Sequence, residues 1–385
     1  MLVDLHAHYP MHLLPSKQDS AHERLKRWKK ARFRAMVVRL ISRFANYEGP
    51  GGEPSVTPAL MAEGDVGVAL SVLYLPFDEI DFDKSYGAPP APGYFDDLLD
   101  QLQLVEDHAA SEGGVTVAHD GAELRAALDQ RQRALVHCIE GGFQVGASKR
   151  EVADNVHALK ERGVAYITVS HLFWRGVATN APAIPFLPDR LYRMLFPQPK
   201  GEGLSPLGTA LVEAMVKERV LIDITHMSDV AVEELFALLD RIDPDGQVPV
   251  VSTHGGCRLG SEEYCHSDET LRRIAARDGF VGFLLCDHHL VDGVRKKQTK
   301  TFADSLDVLC AHIDHLHDVT GSMRYAAIGS DLDGYIKPAL AELGHWGTMK
   351  RLQDALRERY GDEDAERICN GNALRVLESY WGASA

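Results

Sequence analysis

Short apolar runs rich in β-branched residues recur along the chain. Each ends in polar residues and is followed by a stretch whose apolar positions fall three and four apart. The runs predict strands at Met1–Asp4, Val66–Tyr74, Ala134–Ile139, Val164–Val169, Val220–Ile224, Val248–Ser252, Phe280–Leu285 and Tyr325–Ile328. Several are almost wholly apolar, the composition of strands buried on both faces. Strand and helix alternate, which predicts an α/β protein with a parallel sheet.

Ionisable residues sit just past most of these runs: His6 and His8, Glu140, His171, His226, His254 and Asp331. In a (β/α)8 (TIM) barrel all strands direct their carboxyl ends to one face, so such residues converge despite their separation in sequence. A doubly wound open sheet would gather ligands only at a switch point, not from six strands. The expectation is therefore a (β/α)8 barrel, residues 1–385 forming one domain with loop and helical insertions at the C-terminal face.

One insertion, at about residues 20–47, alternates arginines and lysines with Leu25, Trp28, Met36, Val37, Leu40, Ile41 and Phe44. It reads as a basic amphipathic helix packed on the barrel or on a second subunit of a homodimer; contact with a membrane surface or another partner is the competing reading. The tract Gly87–Gly93 and the segment Pro182–Gly203 read as loops over the barrel mouth.

Composition narrows the partners. The net charge of −15 excludes a phosphate-binding surface of the kind nucleic acids require. Six scattered cysteines form no Cys-x-x-Cys pair, which argues against a thiolate zinc knuckle and for a reduced, cytoplasmic setting. No run of about 18 apolar residues predicts a membrane span, and the opening residues read as a strand rather than a leader.

The chemistry follows from spacing. His6 and His8, two apart at a strand end, project from one side and can grip one metal ion. Asp223-Ile224-Thr225-His226 and Ser252-Thr253-His254 repeat the arrangement after later strands. Three histidine-bearing strand ends are hard to explain as packing, because a buried imidazole needs partners for its nitrogens. Glu140, followed by Gly141 and Gly142, can bridge two cations. Asp331 can hold an attacking water and take its proton, and His171 can stabilise an oxyanion. His288 and His289 follow the seventh strand and can line a substrate pocket. His312, His315 and His317 lie on a helix of the outer ring and read as surface residues.

Together these motifs resemble the membrane (renal) dipeptidase family of the amidohydrolase superfamily. The resemblance runs from the His6-containing start through Ile139-Glu140-Gly141-Gly142, Thr168-Val169-Ser170-His171, Gly203-Leu204-Ser205-Pro206-Leu207-Gly208 and the two motifs above. It closes on Gly329-Ser330-Asp331-Leu332-Asp333-Gly334 and Gly371-Asn372-Ala373-Leu374-Arg375-Val376. It implies a barrel with two zinc ions, Glu140 bridging, His6 and His8 on one, His226 and His254 on the other, His171 beside the substrate and Asp331 as acid and base.

Two departures stand out. The family's first motif is His-x-Asp, and this chain has His8 at the aspartate position; histidine still ligates zinc, but one negative charge is lost. The family also places an arginine after the sixth-strand histidine to bind a dipeptide's carboxylate. Here Gly255 to Asp268 offers only Arg258, nearer the histidine than expected, so Arg258 and His288 are the substrate-binding candidates. Phe143 also stands where family members commonly carry histidine.

The leading expectation is a dipeptidase-like metallohydrolase with two divalent ions. A second changes the substrate to an N-acyl amino acid, a cyclic amide or a lactone. A third, a metal-stabilised scaffold, leaves Asp331 and His171 without a purpose.

Overall fold

The computed structural model describes residues 1–13, 53–75, 79, 93–184, 187–334 and 339–382. The basic stretch at 20–47 lies outside the described residues, as does the tract from Gly87 except its last glycine. Among the described residues nine strands form one sheet: β1 Leu2–Ala7, β2 Val66–Leu73, β3 Val115–Val117, β4 Arg133–Glu140, β5 Tyr166–Thr168, β6 Leu221–Asp223, β7 Val250–Gly255, β8 Phe280–Phe283 and β9 Ala326–Ile328. All pairings are parallel, in the order β2-β1-β9-β8-β7-β6-β5-β4-β3. The sheet closes where β2 pairs with β4, from Val68↔Ala134 to Leu73↔Ile139. Eight strands make the closed barrel, and helices between them form its outer ring.

β3 is the ninth strand and was not expected. It pairs along the first part of β4, Val115↔Arg133 to Val117↔Leu135, whereas β5 takes the same edge further on, at Ile139 and Glu140. Three residues after Gly113 and Gly114 are too few to carry a periodic signal. β5, β6 and β9 are shorter than predicted, and β1 and β7 run further, to Ala7 and Gly255.

Both extended strands carry bulges. Between Asp4 and Ala7 three steps on β1 oppose two on β2, Ala69 to Ser71. Between Ser252 and Gly255 three steps on β7 oppose two on β8, Val281 to Phe283. Such an extra residue bends the strand and re-aims its side chains, and these two stretches contain His6 and His254.

Caps fix where the helices start. Ser228 accepts from the Ala231 amide at the head of the helix Asp229–Ile242, two residues after His226. Ser205 accepts from the Leu207 and Gly208 amides with Pro206 next in line, and Thr301 with Asp304 forms a capping box. The stretch between β5 and the helix Pro206–Glu218 builds its own small apolar cluster from Phe173, Leu187, Tyr192 and Phe196. All six cysteines are buried and unpaired with one another. Among the described residues no helix is long and apolar enough to cross a membrane.

His312 corrects the expectation of a surface residue. It is fully buried, accepting from the Cys257 amide at Nδ1 (3.1 Å) and donating from Nε2 to the Leu290 carbonyl (2.8 Å). Helical periodicity put it on the outer ring, but the segments after β7 and β8 cover that face.

Candidate metal centre

At the carboxyl ends of the strands the side chains converge on Glu140. The Nε2 atoms of His6, His171, His226 and His254 lie 3.4, 3.2, 3.4 and 3.2 Å from its Oε1, and that of His8 lies 3.3 Å from its Oε2. Asp331 Oδ1 stands 3.1 Å from His8 Nε2 and 3.9 Å from His6 Nε2. His226 and His254 bring their Nε2 atoms within 3.0 Å of one another. These residues are all buried. The arrangement unites the seven residues expected from strand ends.

The backbone is forced at two of these positions. His226 (φ 68°) and Asp331 (φ 55°) both lie in the left-handed region. That conformation is uncommon outside glycine and for histidine needs surrounding structure to hold it. Around His226 the Met227 amide donates to the Ile224 carbonyl, and the Ala181 amide donates to His226's own carbonyl. The Asp331 amide donates to the His6 carbonyl (2.8 Å), so the first and last strands hold each other's site residues.

Neighbouring polar groups set the imidazole tautomers. The Tyr166 hydroxyl donates to the Leu5 carbonyl (3.0 Å) and therefore accepts from His6 Nδ1 (2.7 Å), leaving the His6 Nε2 lone pair for a cation. Thr253 Oγ1 donates to Asp223 Oδ2 (2.7 Å) and accepts from His254 Nδ1 (3.0 Å), with the same result. Asp223 also accepts from Thr168, from the Thr225 amide and hydroxyl and from the Thr253 amide, which ties β5, β6 and β7 together under the site. Partners of this kind orient metal ligands and raise their basicity.

Burial and the neighbouring His254 hold His6 down to about 4, and burial with His171 holds His226 well below the usual imidazole range. Both stay neutral near pH 7, as ligands must. Burial alone would raise the Glu140 pKa, but His171 and His6 outweigh it and keep the carboxyl well below its ordinary range.

Two buried atoms, His6 Nε2 and Glu140 Oε2, have no hydrogen-bond partner. Unpartnered buried nitrogen and oxygen facing one centre are costly unless a cation takes their lone pairs. The donor set therefore fits divalent ions, in the groups His6/His8/Asp331 and His6/Glu140/His254, with His226 against Glu140 as a further donor.

Glu79 was missed. Its Oε2 lies 2.7 Å from His171 Nδ1 and accepts from the Tyr74 hydroxyl (2.7 Å). Its Oε1 accepts from the Phe173 amide, and its carbonyl accepts from Arg175. Burial would lower the His171 pKa, but Glu140 and Glu79 on either side overcome it and raise it to about 10. His171 thus stands as an imidazolium donor, suited to an oxyanion. Glu79 lies six residues past β2, outside any motif, and no spacing in the sequence signals it.

The substrate-binding candidates stand apart from this cluster. Arg258 makes a two-pronged pair with Asp229 (2.8 and 2.7 Å) and donates to the Cys265 and Glu263 carbonyls. Its fork is thereby engaged in holding the segment after β7. Arg258→Ala is expected to leave KM for a cleaved substrate unchanged and to lower stability by on the order of 1 kcal/mol, since the pair is partly solvated; steady-state kinetics and a melting curve check it.

His288 is part-exposed, 3.7 Å from Glu262 and beside His289. His289 stacks on Tyr264 at 4.1 Å, and Tyr264 meets the His226 ring at 5.0 Å, so His288 is two rings removed from the ligands.

Known proteins share this architecture. The family model described as membrane dipeptidase (peptidase family M19) matches residues 2–382. An uncharacterized protein in the pqqA 5′ region of Klebsiella pneumoniae is 26% identical over 291 residues, 74% of this chain and 97% of that one. Dipeptidase 3 of Rattus norvegicus is 23% identical over 177 residues, and the match spans 46% of this chain but only 33% of that one. A metallopeptidase from Rhodobacter sphaeroides, solved with a phosphinate mimic of the dipeptide L-Ala-D-Ala, superposes with a TM-score of 0.70 at 20% identity, covering 99% of both chains.

Proposed function

Since the chain belongs to the membrane dipeptidase family, peptidase family M19, and is a metal-dependent hydrolase, we propose that it cleaves the amide bond of a small substrate, a dipeptide first of all, using two divalent ions, zinc by preference. Glu140 would bridge the ions, with His6 and His8 on one and His226 and His254 on the other. The observation that carries this reading is the approach of five imidazole Nε2 atoms to the two oxygens of one buried carboxylate.

Bound divalent ions supply Lewis acidity, which polarises the scissile carbonyl and lowers the pKa of water. The chain's own groups do the rest. Asp331 takes the proton of the attacking water at its carboxylate and returns it to the leaving nitrogen. His171, charged between Glu79 and Glu140, donates from Nε2 to the oxyanion that develops on the carbonyl oxygen. Glu79 holds that ring in place through Nδ1.

The commitment of Arg258 to Asp229 favours a second reading of the substrate, in which an N-acyl amino acid, a cyclic amide or a lactone replaces the free dipeptide. Zinc-loaded protein assayed on dipeptides, N-acyl amino acids, cyclic amides and lactones separates the two. L,D dipeptides belong in the panel because the Rhodobacter sphaeroides relative is liganded by an L-Ala-D-Ala mimic. Dipeptide turnover is expected; turnover confined to the other classes would replace the substrate, and none anywhere would overturn the proposal.

A further inference from the structure

The outer wall of the barrel holds a second group of histidines that the hydrolytic site does not use. In the parallel register of β3 and β4, Val117 pairs with Leu135. Two residues further on, His119 comes beside His137, and their ring centroids are 6.3 Å apart. Glu106, on the helix Gly93–Glu112, reaches toward both: its Oε1 is 3.2 Å from His119 Nε2 and 3.6 Å from His137 Nε2. The three ligand atoms lie within 4.8 Å of one another.

His137 makes this cluster more than a surface ion pair. Its side chain is fully buried, and neither ring nitrogen has a hydrogen-bond partner. A neutral imidazole carries one donor and one acceptor, and leaving such a group unsatisfied in the interior costs about 1–3 kcal/mol. An ordinary salt bridge, with His119 protonated between Glu106 and Glu123, accounts for those three residues and leaves His137 with only a 3.6 Å approach to Glu106, beyond hydrogen-bond distance.

We propose that Glu106, His119 and His137 bind a divalent ion of the zinc class, separate from the ions of the hydrolytic centre. Tetrahedral zinc with bonds of about 2.0–2.1 Å sets its ligand atoms about 3.3 Å apart, and the two observed separations bracket that value. The surrounding groups prepare the ligands. Glu123 Oε2, 2.9 Å from His119 Nδ1, accepts a hydrogen bond from the proton held there, which leaves the Nε2 lone pair for the ion. Arg162 occupies the other Glu106 oxygen, Oε2, at 3.1 Å and leaves Oε1 for the ion. Burial keeps His137 neutral and so able to ligate.

Three protein ligands leave a fourth position for water, and the side chain of His119, 40% exposed, gives the ion a way in. The ion ties β3, β4 and the helix Gly93–Glu112 to one point.

The test is a count. Metal-stripped chain, reloaded with zinc and desalted, is measured by mass spectrometry for wild type, His119→Ala and Glu106→Gln. Wild type should hold one zinc per chain more than either variant, with unchanged hydrolysis in both, and Glu123→Gln should weaken that extra zinc by about 10–100-fold. Equal counts in wild type and both variants would overturn the proposal, and the difference is independent of how many ions the hydrolytic centre holds. Anomalous diffraction from zinc-loaded wild-type crystals needs no variant: a peak between the three side chains is expected, and its absence sinks the site.

Discussion

Asp331→Asn should lower turnover about 10²–10⁴-fold, the usual contribution of a positioned acid or base, while bound metal stays at the wild-type amount. Asparagine keeps the shape and one acceptor oxygen but cannot carry a proton from water to a leaving nitrogen. The native carboxylate is suited to that task. Burial alone would raise its pKa, yet His8 and His254 outweigh burial and keep it below the ordinary aspartate value, ready to accept. Its left-handed backbone and the hydrogen bond from its amide to the His6 carbonyl aim the side chain at the ligand cluster. Metal analysis beside steady-state kinetics checks the result. Retained turnover would return Asp331 to a structural role, and loss of metal would make it a ligand instead.

Glu140→Gln should act on the metal first. Gln fills the same volume but removes the negative charge and turns an N–H donor toward imidazole nitrogens 3.2–3.4 Å away. Bound metal is expected to fall below two per chain. Activity should drop by more than the roughly 10–100-fold that outer partners of a metal site contribute. An unchanged stoichiometry, read by elemental analysis after desalting, would defeat the bridging assignment. The contrast between the two variants separates ligation from proton handling, and with them the enzyme from an inert metal scaffold.

Much of the barrel was legible because strands buried on both faces must be apolar throughout and must end where the chain meets water. Eight runs of that kind, each followed by helical spacing, matched eight barrel strands, and the ionisable residues beyond them gathered at one mouth. Val115–Val117 escaped because three residues offer no period to read. His312 was misplaced because a helical face looks the same whether solvent or another loop covers it.

The site divides along the same line. Local order in the chain determined which residues end the strands, and hence that His6, His8, Glu140, His171, His226, His254 and Asp331 share a face. It could not determine which groups stand behind them. Glu79 under His171, Tyr166 under His6, and Asp229 holding Arg258 are separated from their partners by 92, 160 and 29 residues. The bulges in β1 and β7 likewise arise only where a neighbouring strand supplies one residue fewer. Sequence determines the length and polarity of each element, because those follow from the chain's own bonding and solvation. Hydrogen-bond partners, tautomers and the commitment of a guanidinium are decided by which distant segments close packing brings within about 3 Å, and that only the tertiary structure settles.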